Sequence, residues 1–387
     1  MDAPVFDNWW GHFLLFAPIC IFGALTFLLL FLWFDRRYWA RYQIRVGPNR
    51  CGPWGLLQCL ADGLKMALKE DIIPSKVDKF LHGLAPLLIM FPVLMVFAII
   101  PFANARSGVV PDLNIGLIYL VGITSIVGIG LLTAGWASSN KWSLVGAMRS
   151  IATMVSYEFP VVLSLVGVGL MAGTLSMNGI VEAQERNGWF ILLQPLGFLI
   201  FFVGMMAETG RSPFDFMECE SELGCGVNTE YSGLRFGIFQ MVEFMEGVLM
   251  SFIVATLFLG GYSFPGSQGI FPEGALGAVF GLIAVMIKMF IVYIFLGWIK
   301  CTMPGRLRID QWMGFAWKAL LPLSVLNLII VAFEVVAFGG APNFPAWVLF
   351  INLPACIILI MLWSRFWTTG GGRINVRAVR QGHTQGA

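Results

Sequence analysis

The residues best suited to chemistry are crowded into one stretch. Between Ala207 and Phe236 stand six carboxylates, Glu208, Asp215, Glu218, Glu220, Glu222 and Glu230, with only two arginines. Further acids continue on either side: Glu243 and Glu246 lie one turn apart and can share a helix face, and Glu158 directly precedes Phe159-Pro160. Carboxylates close together in a low-dielectric setting cannot all ionise, so the group shares protons. That is the chemistry of a proton reservoir or relay. The plain alternative is a solvated, repulsive surface run. Against it, Phe, Leu and Val lie among the acids, and Gly and Pro supply ordered turns. Two more ionisable residues, Lys288 and Glu334, sit inside long apolar runs. Such a residue at a bilayer centre costs about 2.5–3.5 kcal/mol. Lys288 is expected to face a protein interior and find an acidic partner, whereas a structural role suits Glu334 equally well.

Redox and metal chemistry find little support in the chain. The seven cysteines, at 20, 51, 59, 219, 225, 301 and 356, show no Cys-x-x-Cys spacing, and no histidine lies near Cys219 or Cys225. Two of the three histidines, His12 and His383, lie near the termini, which excludes paired haem ligands within a membrane. The expectation is a chain with no metal site and no redox centre of its own.

What must position these residues is a membrane bundle. Hydrophobic residues make up 58% of the chain and charged residues 12%, and the mean hydropathy is +0.81, far from soluble composition. Apolar runs predict an all-α polytopic bundle of about nine spans, near 13–34, 84–103, 115–137, 157–177, 190–206, 236–259, 275–299, 320–338 and 346–364. The residues before the first run lack the basic segment of a signal peptide. Residues 1–387 therefore read as one membrane domain. The loops 35–80, 138–156, 207–235, 300–319 and the tail after Ser364 carry 21 of the 24 lysines and arginines. The positive-inside rule makes those segments cytoplasmic, with the N-terminus outside and a basic cytoplasmic tail at 365–387. The 207–235 stretch then becomes an acidic loop facing the cytoplasm.

The 35–80 loop is more than a linker. It opens basic and aromatic, turns at Gly47-Pro48-Asn49, and continues with Leu57, Leu60, Leu64, Ala67 and Leu68 at helical spacing. This predicts an amphipathic helix lying at the membrane surface, a reading compatible with the plainer one of a helix packed on the bundle's own cytoplasmic end. The residues alone leave the reaction unnamed. A secondary transporter fits less well than a site for an amphiphile entering from the bilayer, because no inverted repeat of broken helices is visible.

A set of motifs carries a more specific reading. In order along nearly the whole chain stand RVGPNR (45–50), QCLADGLKMALKED (58–71), WASSNKWSLVGAMRS (136–150) with SYE (156–158), AETGRSPFD (207–215), ESEL (220–223), NTEYSG (228–233) and RLRIDQ (306–311). In these the chain resembles the H-subunit family of bacterial NADH–quinone oxidoreductase, respiratory complex I. The resemblance implies a subunit of a proton-translocating oxidoreductase in the bacterial inner membrane, at the junction with the peripheral arm. Quinone, either ubiquinone or menaquinone, is the implied substrate, reduced by electrons from an iron–sulfur cluster in a neighbouring subunit. It also implies quinone contacts from Arg36, Arg45, Asp62 and Lys65. Glu158, Glu208 and Glu243 become intramembrane carboxylates of an acidic channel, and Asp215, Glu218, Glu220, Glu222 and Glu230 members of a coupling loop. Lys288, from its place inside an apolar run, is a further proton-coupling candidate. Implied partners are the peripheral-arm iron–sulfur and quinone-site subunits, small membrane subunits and antiporter-like subunits. The chain departs from the usual pattern at Gly210, Met217, Cys219 and Cys225 in the loop, at Thr153, at Lys300, where arginine is usual, and at the inserted Gly305. Two rivals stay open: the membrane subunit of a proton-pumping hydrogenase, and a stand-alone proton-coupled transporter. The intact ADGLK, NTEYSG and RxRxDQ elements favour the quinone reading.

Overall fold

Backbone N–H and C=O groups in hydrocarbon find no water, so each apolar run must satisfy them within a helix. The computed structural model describes residues 30–102, 112–211, 214, 223–265, 275–302, 308–338 and 344–370. Among them there are helices and turns but no strand. In order they are α1 (residues 30–42), α2 (Gln58–Leu68), α3 (Lys79–Phe97), α4 (Gly116–Ala137), α5 (Lys141–Ala172), α6 (Met177–Asn187), α7 (Phe190–Leu193), α8 (Pro195–Glu208), α9 (Gly233–Phe258), α10 (Ala275–Thr302), α11 (Ile309–Phe338) and α12 (Phe344–Gly370). Six of these, α3, α4, α5, α9, α10 and α11, are long and apolar enough to cross a membrane, and α8 and α12 add shorter apolar stretches. The expected first span, 13–34, is described only from residue 30, and most of the 365–387 tail lies outside the described residues.

The bundle is built around α9. Within the chain 78% of its apolar window is buried, against at most half for the other long helices. Close approach elsewhere depends on small residues, as is usual between membrane helices. A methyl on Gly130 would lie 2.5 Å from Ile89, on Gly135 2.3 Å from Ala147, and on Gly204 2.3 Å from Val161. Side-chain caps start α3 at Asp78, α5 at Asn140 and α6 at Ser176, each accepting from N–H groups of the first turn.

Two boundaries differ from expectation for physical reasons. The 138–156 segment, read as a loop, is the first half of α5. Asn140 caps the helix at Lys141, so Glu158 sits in mid-helix rather than at its start. The span expected over 190–206 is broken in two. Gln194 precedes Pro195, which disfavours helical backbone at the preceding residue. Gln194 takes φ −128° and ψ 65°, ending α7, and Pro195 starts α8.

On α2 and just before it, Leu57, Leu60, Leu64 and Leu68 are all exposed, while Met66 lies against Gly237 of α9. The leucine row therefore points away from the bundle while another face of the helix packs on it. The turn before it closes through Gly55, where a methyl would fall 2.3 Å from the Pro48 carbonyl oxygen and φ is +80°.

Candidate functional site

Three glutamates from three helices converge on one cavity. Glu158 of α5, Glu208 at the end of α8 and Glu246 of α9 line it, with Pro92, Thr124 and Thr209. An adjoining, smaller space is lined again by Glu208 and Glu246, now with Glu243 and Asn228. Each wall has a local cause. Pro92 and Pro160 interrupt the hydrogen-bond ladders of α3 and α5. Glu243 and Glu246 stand three residues apart on α9 and share a face. Thr124 Oγ1 donates to the Leu120 carbonyl and Thr209 Oγ1 to the Met206 carbonyl, so their lone pairs remain able to accept a proton donor from the cavity.

A buried cation sits beside this cavity. Arg211 follows the Thr209–Gly210 turn after α8 and is 5% exposed. Its guanidinium lies 5.2 Å from the Tyr293 ring centre, and the Tyr293 hydroxyl donates to Asp35 Oδ1 at 2.5 Å. Glu243 of α9 is within electrostatic reach of the same guanidinium. A methyl on Gly247 would lie 2.0 Å from Arg211 Nη2, so the absence of a side chain there makes room for the cation. Asp35, Arg211 and Gly247 were not among the site residues expected from sequence, and Glu246 was singled out only as sharing a helix face with Glu243. The signals were present but weak: an acid beside Arg36-Arg37, an arginine among acids, and an i, i+3 carboxylate pair.

The four residues expected near a quinone lie together around the C-terminal end of α1. Arg36 and Arg45 line a space of about 960 Å³ with Trp39, Gln43 and Lys300, whose ammonium lies 4.9 Å from the Trp39 ring centre. Arg36 Nη1 pairs with Asp62 Oδ2, Gln58 Nε2 donates to Asp62 Oδ1 at 3.2 Å, and Lys65 Nζ lies 3.7 Å from Asp62 Oδ1. Asp62 and Lys65 thus back the pocket rather than line it. One helical turn back along α1, an apolar groove of about 1010 Å³ runs between Leu30, Phe31, Trp33 and Phe34 and the α10 residues Met286, Ile287 and Phe290.

The Arg36–Asp62 pair has a pH signature. Burial pushes the Asp62 carboxyl up, but the hydrogen bond and charge of Arg36, then Gln58 and Lys65, hold it below its ordinary value. A depressed folded-state pKa stabilises above the ordinary carboxylate range and is lost as pH falls through the depressed value. Both partners are partly exposed, so the link is worth on the order of 1 kcal/mol. Proteolytic cleavage of the 43–57 connection is expected to quicken in Asp62→Asn at neutral pH, and in the unsubstituted chain only in acid. Equal cleavage of both proteins at every pH would remove Asp62 from this role.

Other expected site residues behave differently. Glu230 Oε1 accepts from Asn140 Nδ2 at 2.6 Å, tying the 226–230 turn to the start of α5, and lines neither acidic cavity. The same segment is fastened by Arg235 to Asp71 at 3.1 Å and by Ser232 Oγ, which accepts from Ile72 N–H at 2.8 Å. Lys288 does face the interior, and among the described residues its hydrogen-bond partners are carbonyls. Its ammonium donates to Gly261 O at 2.8 Å and to Ser263 O, over the Phe264 ring. Carbonyls just past the C-terminal end of α9 are the natural acceptors for a cation. Asp215, Glu218, Glu220 and Glu222 lie outside the described residues.

With this arrangement in view, comparison with known proteins is decisive. A family model described as NADH dehydrogenase matches residues 16–332. The chain belongs to that family. It is 47% identical over 372 residues to the NADH-quinone oxidoreductase H-subunit of Dehalococcoides mccartyi strain CBDB1, covering 96% of this chain and all of that protein. The H-subunit of Carboxydothermus hydrogenoformans is 44% identical over 320 residues, 81% of this chain and 88% of the relative. That of Brevibacillus brevis is 43% identical over 327 residues, 84% and 94%. The NADH dehydrogenase match takes in every element of both acidic cavities and the basic pocket, and it ends within α11.

Proposed function

We propose that this chain is the quinone-binding, proton-coupling membrane subunit of an NADH–quinone oxidoreductase. Its relatives are named as the H-subunit of that enzyme, and the likeness runs over nearly their whole length. The observation that supports the finer reading is the succession of three neighbouring sites. The apolar groove along α1 and α10 suits an isoprenoid tail, and the basic, Trp-lined pocket at its end suits a polar headgroup and the anionic charge that develops on its reduction. Arg36 of that pocket is the chain neighbour of Asp35, and Asp35, Tyr293 and Arg211 lead to α9 and the acidic cavity. Charge developing at the pocket is therefore felt by groups able to hold and release protons. Arg36 and Arg45 bind and orient the headgroup, with Asp62 and Lys65 fixing Arg36. Glu158, Glu208, Glu243 and Glu246 exchange the protons, with the 215–222 acids and Glu230 forming and anchoring the coupling loop.

In this reading the electrons come from flavin- and cluster-bearing partners, and quinone is substrate. The other membrane subunits, small and antiporter-like, carry the proton movement onward. The chain spans the bacterial inner membrane, with its N-terminus outside and its basic tail in the cytoplasm. Purification of the tagged chain in mild detergent tests this. Flavin and iron–sulfur subunits are expected to co-purify with inhibitor-sensitive NADH:quinone reduction. Recovery with hydrogenase subunits, or as a stable solitary chain without that activity, would overturn it.

A further inference from the structure

A second polar cluster lies at the opposite end of the bundle, where α8 places Gln194 about 20 Å by helical rise from Glu208. Four helices meet there. Gln194 is fully buried; its Nε2 donates to the Gly167 carbonyl of α5 at 3.1 Å, and its Oε1 has no partner among the described residues. Asn327 of α11 is 3% exposed and its Nδ2 is likewise without a partner among them. Both of these orphan atoms lie within 3.3 Å of the position a methyl on Gly197 would take, so the two amides share one space. From α12, Asn352 Nδ2 donates to the Leu193 carbonyl at 2.6 Å and to Glu334 Oε2 at 2.9 Å. Glu334 is fully buried and its Oε1 has no partner among the described residues. Glu334 and Asn352 both lie beyond the residues the family model matches.

Donors and acceptors decide the state of this cluster. Among the described residues no lysine or arginine pairs with Glu334, and Asn352 is its one neighbouring donor. A carboxylate buried in a membrane bundle with one neutral donor is unstable relative to the acid. As an acid, its free oxygen carries a proton that needs an acceptor. The orphan acceptor is Gln194 Oε1 and the orphan donor is Asn327 Nδ2. Asn327 and Glu334 stand seven residues apart on α11, about 10 Å of helical rise, so more than one water is needed to serve all three, accepting from the acid and from Asn327 and donating to Gln194. We propose that Gln194, Asn327, Glu334 and Asn352 form a second proton-holding site, in which Glu334 is a neutral carboxylic acid joined to the two amides by bound water.

Infrared spectroscopy of the intact complex, purified with its partner subunits in H2O and in D2O, tests this. A protonated-carboxyl C=O band that shifts down in D2O is expected to vanish in Glu334→Gln. The same band should survive but move in Asn327→Leu, which removes a water partner without adding charge. Glu208→Gln should leave it in place, which separates this site from the inner cavity. Loss of ionised-carboxylate bands in Glu334→Gln, or a C=O band unmoved by Asn327→Leu, would overturn the proposal. If Glu334→Gln does not assemble, the Asn327→Leu shift alone decides.

Discussion

Glu208→Gln is expected to lower coupled quinone reduction about tenfold or more, while NADH oxidation by an artificial acceptor is unchanged. A tenfold loss corresponds to about 1.4 kcal/mol in the limiting barrier. Among the glutamates, Glu208 and Glu246 belong to both acidic spaces, and Glu208 also ends α8 at the turn leading to Arg211. Glutamine keeps the volume and the hydrogen-bonding capacity but carries no exchangeable acid proton. The fold is therefore retained and the proton step is lost. Glu243→Gln lines only the smaller space and should have a lesser effect in the same direction. The measurement is proton translocation and quinone reduction in reconstituted vesicles, beside artificial-acceptor activity as a control for assembly. Unimpaired translocation and quinone reduction in both variants would sink the assignment of these carboxylates.

The second large effect comes from a residue that can titrate nothing. Gly247→Ala puts a methyl 2.0 Å from a guanidinium nitrogen of Arg211, so either the arginine leaves or α9 shifts. Removing one partner from a buried charge cluster costs about 3–5 kcal/mol, because the remaining charges stay desolvated. Asp35 and Tyr293 are the groups that lose their cation. Reduced thermal stability of the purified complex and loss of quinone reduction are expected together. A Gly247→Ala complex with wild-type stability and activity would mean that Arg211 can be accommodated elsewhere.

Much of this arrangement was legible in the sequence, and the parts that were not have physical causes. Apolar run length identifies spans because the bilayer sets a minimum length, and α3, α4, α9, α10 and α11 follow it. Run length is blind to where polar residues continue a helix, which is why Lys141–Ser156 read as a loop although Asn140 caps it. The Gln194-Pro195 break lay inside an apolar run and was hidden by its hydropathy. Charged types and spacing pointed to Glu158, Glu208 and Glu243, which do line the acidic spaces. Among the described residues Lys288 is held by two backbone carbonyls, which leave no mark on composition. Contacts between distant segments, such as Asp35 with Tyr293, depend on packing and leave no local pattern.

The interrupted span has a consequence for biosynthesis. An apolar helix of 14 residues is about 21 Å long, well short of a hydrocarbon core of about 30 Å. Released alone into lipid, Pro195–Glu208 would leave Gln194 and the Leu193 carbonyl facing hydrocarbon. The hydrogen bond that satisfies that carbonyl comes from Asn352, on the last described helix to leave the ribosome. The middle of the bundle thus stays unfinished until its end has been made. Truncation before α12 is therefore expected to expose α7 and α8 to quality-control proteases, even though every acidic-cavity residue has already been synthesised.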